Sequence, residues 1–376
     1  MMLDEFPHAD YLVYLNHAGV GVWPKRTAET VKAFAQENVA EGPIHYDRWI
    51  RKETELREQL RRLINAPSKD DIALLKNTSE ALSVVAYGID WQAGDNIVSS
   101  TQEFPSNRIV WESLQDRGVE VRLADLDSGS SPEDSVMALV DQHTRLIAVS
   151  SVQYASGLRL DLKTLGEFCR AHDILFCVDA IQSIGATVFD AQAIQADFVA
   201  ADGHKWMLGP EGVALFYCRE ELRGQLKLRQ YGWHMVETAG DYNQASWQPA
   251  RSARRFEAGS PNMLGVHALS ASLSLLLEIG MGKVEQQLLE RSAYIIERLS
   301  ASDDFTLLSP TQAGRYAGII NCKHQTMDSA LLVPELKKRH IYCAVRGGGV
   351  RLSPHFYTPM NKLERTVDTL IELATA

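Results

Sequence analysis

Lys205 is the residue of this sequence whose setting most favours covalent chemistry. It lies in the Gly- and Pro-rich turn 201–212, between two short apolar runs, 197–200 and 213–217, that predict strands. A lysine at the end of a buried strand is desolvated, and desolvation disfavours its charged form. Such a lysine can form an imine with a carbonyl compound, although a lone lysine in a turn is more often simply exposed to solvent.

Asp179 gives this lysine a chemical context. The apolar run 174–178 predicts a buried strand that ends on Asp179, about one strand–helix–strand unit before Lys205. A buried carboxylate is costly unless it meets a cation, and the protonated ring nitrogen of pyridoxal phosphate is such a cation. The two residues together therefore indicate a pyridoxal-phosphate site in which both strand ends face one ligand.

Two motifs, 176–182 and 202–205, resemble the corresponding segments of the class V aminotransferases of fold type I. The similarity extends from Tyr14 to Pro354. That family includes cysteine desulfurases, selenocysteine lyase, kynureninase and proteins like isopenicillin-N epimerase. The resemblance implies the α/β fold of the type I pyridoxal-phosphate-dependent transferases, with a smaller C-terminal α+β domain. Alternating strands and helices independently predict a mostly parallel sheet with helices on both faces.

The remaining cofactor contacts are distributed along the chain. Thr78 and Ser79 open a helix after the predicted strand 72–75, where free N–H groups can bind a phosphate, although the same residues would also serve as an ordinary helix cap. The resemblance implies the phosphate contact for both, adds His204 as a phosphate donor, and places Phe104 against the ring. The other implied contacts are Tyr154 and Gln182 at the ring oxygen.

Segment 251–262 reads by itself as an ordinary basic loop. It resembles the family segment that reaches across a dimer interface and places a hydroxyl on the partner's cofactor phosphate. The resemblance therefore implies a homodimer with shared active sites, in which Ser260 binds the cofactor of the other subunit.

Arg351 is the residue best suited to bind a substrate carboxylate. It lies in a strand-like run, where a polar residue needs a partner, and a guanidinium can hold a carboxylate through two hydrogen bonds. It matches the family's carboxylate-binding arginine, and Arg346 is a second candidate anchor. Asn16 and His17 follow the predicted strand 11–15, and the resemblance places their turn on the substrate side of the site.

The chemistry implied begins with an amino acid that displaces Lys205 from the cofactor to form an external imine. Lys205 would then move the Cα proton, and Asp179 would keep the ring able to accept the carbanion's electrons. Transamination, β-elimination and epimerisation share this path. We predict an aminotransferase or a carbon–sulfur lyase; the alternatives are an epimerase of the isopenicillin-N-epimerase-like type and a non-catalytic pyridoxal-phosphate-binding protein.

Two features depart from the desulfurase pattern. Phe104 stands where desulfurases carry a histidine that stacks on the ring and assists proton transfer. Only residues 347–350 separate Arg346 from Arg351, where desulfurases insert a loop with the cysteine that accepts sulfur. Cys343 precedes that position and lies in a predicted strand, 342–345. We therefore predict that the chain is not a persulfide-forming cysteine desulfurase.

A chain of 376 residues predicts two domains, a large cofactor-binding domain over 16–280 and a small one over 281–376 together with 1–15. The net charge of −10, without a basic cluster, argues against a nucleic-acid partner. Five scattered cysteines lack metal-ligand spacing, so no metal is expected. The N-terminus lacks the pattern of a signal peptide and no run is long enough to span a membrane, which predicts a cytoplasmic protein.

Overall fold

The computed structural model describes residues 3–375. Its strands, in chain order, are β1 (Val13–Tyr14), β2 (Ile72–Leu75), β3 (Asn96–Ser100), β4 (Glu120–Ala124), β5 (Thr144–Ser150), β6 (Leu175–Asp179), β7 (Phe198–Asp202), β8 (Ala214–Cys218), β9 (Phe305–Leu307), β10 (Ile320–His324), β11 (Ile341–Tyr342), β12 (Ala344–Arg346) and β13 (Gly349–Leu352). Its α-helices are α1 (Lys25–Ala40), α2 (Tyr46–Leu63), α3 (Thr78–Gly88), α4 (Ser106–Glu112), α5 (Pro132–Met137), α6 (Leu162–Ala171), α7 (Ala191–Ile194), α8 (Glu220–Arg223), α9 (Met263–Ile279), α10 (Met281–Ser300), α11 (Ser329–Lys338) and α12 (Met360–Thr375).

A seven-stranded sheet in the order β2-β8-β7-β6-β5-β3-β4 forms the centre of the protein. All neighbours from β7 to β4 pair in parallel, and β8 runs antiparallel to both β2 and β7. Side chains of a strand alternate between its faces, and both faces of β5 are buried: Ile147 and Val149 join one apolar cluster, Leu146 and Ala148 the other. The predicted fold class, a mostly parallel sheet covered on both faces, is confirmed.

A smaller unit follows α9. Its antiparallel sheet has the order β12-β13-β10-β9, and β1 near the N-terminus pairs in parallel with β11. Between α9 and α10 the backbone of Gly280 has a φ of 86°, which interrupts the helix and lets the chain turn. We propose that the boundary between the two domains, 16–280 and 281–376 with 1–15, lies at this break.

The single strand predicted over 342–345 is wrong. The chain changes sheets at Cys343, because β11 pairs with β1 whereas β12 pairs with β13. Helices α1, α4, α5, α7, α8, α11 and α12 and the edge strand β4 were not predicted. Among residues 3–375, no single helix is long and apolar enough to cross a membrane; α9 and α10, bent by 84° at their junction, meet that criterion only when joined, and on length and composition alone.

Candidate active site

A cavity of about 510 Å³ opens at the carboxyl ends of the central parallel strands, where ligands of such sheets collect. The predicted site residues that line it are Asn16, Thr78, Ser79, Phe104, Tyr154, Asp179, Gln182, His204, Lys205, Arg346 and Arg351. The structure therefore brings together, from distant parts of the chain, most of the side chains that the sequence analysis selected. The cavity is large enough for a cofactor and a small amino acid.

Lys205 follows β7 in a tightly packed turn and is only 8% exposed. Its burial lowers the pKa of the amine, and the negative charge of Asp179 opposes this shift. The Lys205 Nζ lies 5.6 Å from the centre of the Phe104 ring. Gly21 packs against this turn so closely that a Cβ there would lie 2.0 Å from the Lys205 carbonyl oxygen. The N-terminal segment around Gly21 can therefore pack against the backbone of Lys205 only because residue 21 is glycine.

Asp179 ends β6 and is buried at the floor of the cavity. Its Oδ1 accepts a hydrogen bond from the backbone N–H of Ile181 at 3.0 Å. Burial raises the pKa of Asp179, the Ile181 N–H opposes the rise, and the charge of Glu103 adds to it. The charge of a buried carboxylate is costly unless a cation lies beside it. Asp179 is therefore suited to bind a protonated ring nitrogen.

The N-terminus of α3 forms a second wall. The Asn77 side chain caps the helix by accepting from the Glu80 N–H at 2.9 Å, and Ser79 Oγ donates to Ser106 Oγ at 2.9 Å. Thr78 Oγ1 accepts from the Asp202 N–H at 3.1 Å, so its own proton is free to be donated. Unpaired N–H groups and hydroxyls at a helix N-terminus bind anions. Their position in the cavity suits the phosphate of the cofactor.

His204 lies beside this wall, with Nδ1 3.1 Å from Oδ1 of Asp202. Asp202 ends β7 and lines the same cavity. The Asp202 carboxylate therefore lies against the His204 imidazole within the turn. The assignment of His204 to the phosphate stays a prediction.

Arg351 also lines the cavity, from β13, and is 2% exposed. Its Nη1 donates to the Tyr154 carbonyl at 2.8 Å and its Nη2 to Asn16 Oδ1 at 3.1 Å, while Nε is buried without a partner. Burial, reinforced by the nearby charge of Arg346, lowers the pKa of Arg351 to about 10, so it remains a cation at neutral pH. Arg346 is exposed and donates to the carbonyl of its neighbour Val345.

Two predicted site residues lie away from the cavity. His17 is fully buried: Nδ1 is 2.9 Å from the Ser353 carbonyl and Nε2 is 2.6 Å from the Tyr357 hydroxyl. Both ring nitrogens are thus occupied, and we correct its expected substrate contact to a structural one. Ser260 lines a separate cavity of about 380 Å³. Its contact with the phosphate of a partner subunit stays a prediction.

A buried charge cluster anchors the segment that carries Ser260. Arg57 of α2 bridges Glu53 and Glu257, and Glu257 also accepts from the Leu74 N–H at 2.8 Å. His234 adjoins both carboxylates, and ligand atoms of Glu53, His234 and Glu257 lie within 4.8 Å of one another, close enough for a metal ion. Arg57 already pairs with both carboxylates, so the cluster forms a buried ion-pair network without a metal ion.

Sequence reasoning missed several residues at this site. Ser106 lines the cavity and accepts a hydrogen bond from Ser79, and the buried Glu103 is near enough for its charge to help raise the pKa of Asp179. Trp206 fixes Gln182 by donating from Nε1 to its Oε1 at 2.7 Å. Neighbouring sequence offered a weak signal for Trp206, which adjoins Lys205, but none for Glu103 or for Ser106, the first residue of α4.

The donor set fits pyridoxal phosphate. Lys205 is a buried amine that belongs to no ion pair between described residues, and Asp179 is a buried carboxylate with one hydrogen bond from Ile181. A helix N-terminus and an aromatic ring complete the surroundings. A molecule with an aldehyde, a basic ring nitrogen and a phosphate would be held at each of these points.

The chain resembles known proteins along nearly its whole length. Residues 13–364 match the model of the class V aminotransferases. A probable cysteine desulfurase of Methanothermobacter thermautotrophicus is 32% identical, with 96% of this chain and 94% of the relative covered. Among solved structures, an apo cysteine desulfurase of Thermococcus onnurineus NA1 superposes with a TM-score of 0.87 at 24% identity, covering 99% of this chain and 96% of that one. A cystine C–S lyase in complex with its product cysteine persulfide has a TM-score of 0.90 at 23% identity, covering 97% and 98%.

These similarities contradict the prediction that the chain is not a persulfide-forming cysteine desulfurase, and that prediction is wrong. It rested on two local departures, Phe104 and the short connection 347–350. The likeness to a protein named a probable cysteine desulfurase instead extends over 96% of the chain. Local differences at two positions do not outweigh it.

Proposed function

Because this chain belongs to the class V aminotransferase family, we propose that it cleaves the carbon–sulfur bond of cysteine or a closely related amino acid. It is a pyridoxal-phosphate-dependent enzyme of the cysteine desulfurase and carbon–sulfur lyase kind. One observation carries the proposal: a relative named a probable cysteine desulfurase aligns with 96% of the chain at 32% identity.

The roles of the cavity residues follow from their chemistry. Arg351 is the anchor for the substrate carboxylate, since its guanidinium is cationic and lies in the cavity wall. Its hydrogen bonds to Tyr154 and Asn16 fix the plane of the guanidinium, so the arginine is oriented before substrate arrives. An amino acid held this way presents its amine and Cα to the interior of the cavity.

Lys205 is the base of the proposed reaction. When bound, pyridoxal phosphate withdraws electrons from the substrate carbon through its protonated ring. Burial lowers the pKa of Lys205, so a larger fraction of its amine is neutral near pH 7 and Nζ can accept the Cα proton. Asp179 would accept a hydrogen bond from the ring N–H of the bound cofactor, and the Phe104 ring, whose centre lies 5.6 Å from Nζ, lines the same cavity.

Analysis of products with a panel of substrates tests this function. The holoenzyme would be incubated with L-cysteine, L-cystine, L-alanine and L-aspartate, and the products identified by mass spectrometry with an assay for released sulfur. We expect turnover of the sulfur amino acids; cystine belongs in the panel because the lyase of similar fold acts on it. Alanine formed from cysteine would identify the desulfurase branch, and pyruvate the lyase branch.

The matched control is Lys205→Ala, which we expect to bind cofactor without turnover. Turnover of alanine or aspartate with none of cysteine or cystine would contradict the proposal.

We also propose that the active unit is a homodimer in which Ser260 contacts the cofactor of the other subunit. The contacts of Glu257 support this, since they anchor the start of a segment in which Gly259 and Ser260 are exposed at the surface of their own subunit.

A further inference from the structure

Glu103 is a buried acid that the proposed reaction does not use. It lies in the turn between β3 and α4 and is 6% exposed. Its Oε1 accepts from the backbone N–H of Ser150 at 2.8 Å and from Nε2 of Gln153 at 3.0 Å. Its Oε2 accepts from Nδ2 of Asn107 at 2.8 Å and from the Ser150 hydroxyl. A longer bond of 3.2 Å comes from the Ser100 hydroxyl.

These donors favour a negatively charged Glu103. Each oxygen faces a group that can only donate: the Ser150 N–H for Oε1, and for Oε2 the Asn107 amide, whose orientation is fixed because its Oδ1 accepts from Trp111 Nε1 at 2.9 Å. Hydrogen bonds to both oxygens stabilise a carboxylate, because a neutral carboxyl would direct its proton at a donor. No ion pair between residues 3–375 includes Glu103. Its charge is therefore held by neutral groups and left available to its surroundings.

Ser150 links Glu103 to Asp179. In the parallel pairing of β5 with β6, Ser150 lies directly opposite Asp179, and adjacent strands are about 4.8 Å apart. The carboxylate bound to the Ser150 N–H therefore lies next to the end of β6. Its repulsion is one of the influences that raise the pKa of Asp179, after burial itself.

Glu103 also precedes Phe104, whose ring lies in the cavity. The Phe104 ring packs edge-on against Tyr154 with centroids 5.1 Å apart. Glu103 accepts hydrogen bonds from Ser150, at the end of β5, and from Gln153, in the loop that carries Tyr154. These bonds connect the turn that carries Phe104 to that loop. One carboxylate thus joins two walls of the cavity.

We propose that Glu103 is a positioning residue of the cofactor site, whose buried negative charge acts with Asp179 to select a ring that carries a proton and a positive charge on its nitrogen. A purely structural role would only hold the turn in place. An electrostatic role predicts more: the Glu103 charge must strengthen binding of a protonated ring more than binding of a neutral ring of the same shape. This inference rests on the proposed cofactor site.

Competition between two cofactors tests it without reference to activity. The probes are pyridoxal phosphate and its carbocyclic analogue, in which C–H replaces the ring nitrogen. Dissociation constants for both are measured on apoprotein by fluorescence quenching for wild type, Glu103→Gln, Glu103→Asp and the control Ser100→Ala. We expect Glu103→Gln to lower the preference for pyridoxal phosphate about tenfold, the size of a one-unit change in a pKa. Glu103→Asp and Ser100→Ala keep the charge and should keep most of the preference.

An Asp179→Asn protein provides a second arm if Glu103→Gln does not fold. With Asp179 neutral, the Glu103 charge should leave a residual preference for pyridoxal phosphate over the analogue. Equal weakening of both cofactors in Glu103→Gln, or equal binding of both by Asp179→Asn, would overturn the inference while leaving the cofactor site intact. Failure of wild type to bind either cofactor would overturn the proposed function as well.

Discussion

Replacing Arg351 by lysine separates the charge of this residue from its geometry. Lysine keeps the positive charge but lacks the planar fork of a guanidinium, which donates to the Tyr154 carbonyl and Asn16 and can form two parallel hydrogen bonds with a carboxylate. A hydrogen bond to a charged group contributes about 1.5–3 kcal/mol, so the loss of one lowers kcat/KM for cysteine about 10- to 100-fold. Arg351→Met removes charge and both bonds and should cost about 3–6 kcal/mol, which is on the order of 10²- to 10⁴-fold.

The assay combines steady-state kinetics with binding. The kcat/KM for L-cysteine gives the total effect, and the absorbance of bound cofactor gives dissociation constants for L-alanine and for ethylamine, which has the same amine without the carboxylate. The Arg351 variants should lose affinity for alanine and not for ethylamine. Arg346→Lys makes the same exchange at the second candidate anchor and should lower kcat/KM less than Arg351→Lys, since Arg346 is exposed and its guanidinium donates to the Val345 carbonyl. Equal losses for alanine and ethylamine in a folded Arg351 variant would refute the carboxylate assignment.

Three further predictions concern assembly and stability. Mixing Lys205→Ala with Ser260→Ala should restore activity, because each hybrid dimer contains one site with both residues; no gain despite subunit exchange would argue against shared sites. His17 should make the protein sensitive to acid: burial lowers its pKa to about 4, so the unfolded state gains a proton first and stability falls as the pH drops from 6.5 toward 4, by about 3 kcal/mol. Urea unfolding of His17→Phe should show a flatter pH dependence over that range, and an unchanged slope would contradict this. Arg57→Ala should lower the free energy of unfolding by about 3–5 kcal/mol, because Glu53 and Glu257 lose their cation; a loss below 1 kcal/mol would show that the network is not needed.

The sequence was sufficient where a single residue type at a strand end implied its chemistry. An apolar run that ends on Asp179, and a second that leads to Lys205, predicted both the sheet and two walls of its cavity. Glu103 could not be found in this way. The segment around it resembles a solvated turn, and its burial depends on donors from Asn107 and from Ser150, which lies in a different strand.

Two other residues show why turns are difficult to interpret from sequence. His17 was expected to face the substrate, but the side of a turn that meets a cavity is decided by packing, here by Tyr357 near the C-terminus. Cys343 was placed inside one strand because the run is uniformly apolar. The break there exists only because β11 and β12 pair with strands of different sheets.

Identification of the lysine that holds the cofactor tests the central claim most directly. The holoenzyme is treated with sodium borohydride, which fixes pyridoxal phosphate to the lysine that binds it, then digested and mapped by mass spectrometry. We predict one labelled peptide with the modification on Lys205, and no label in Lys205→Ala treated in parallel. A label on any other lysine of the wild-type protein would contradict the assignment of this cavity as the active site.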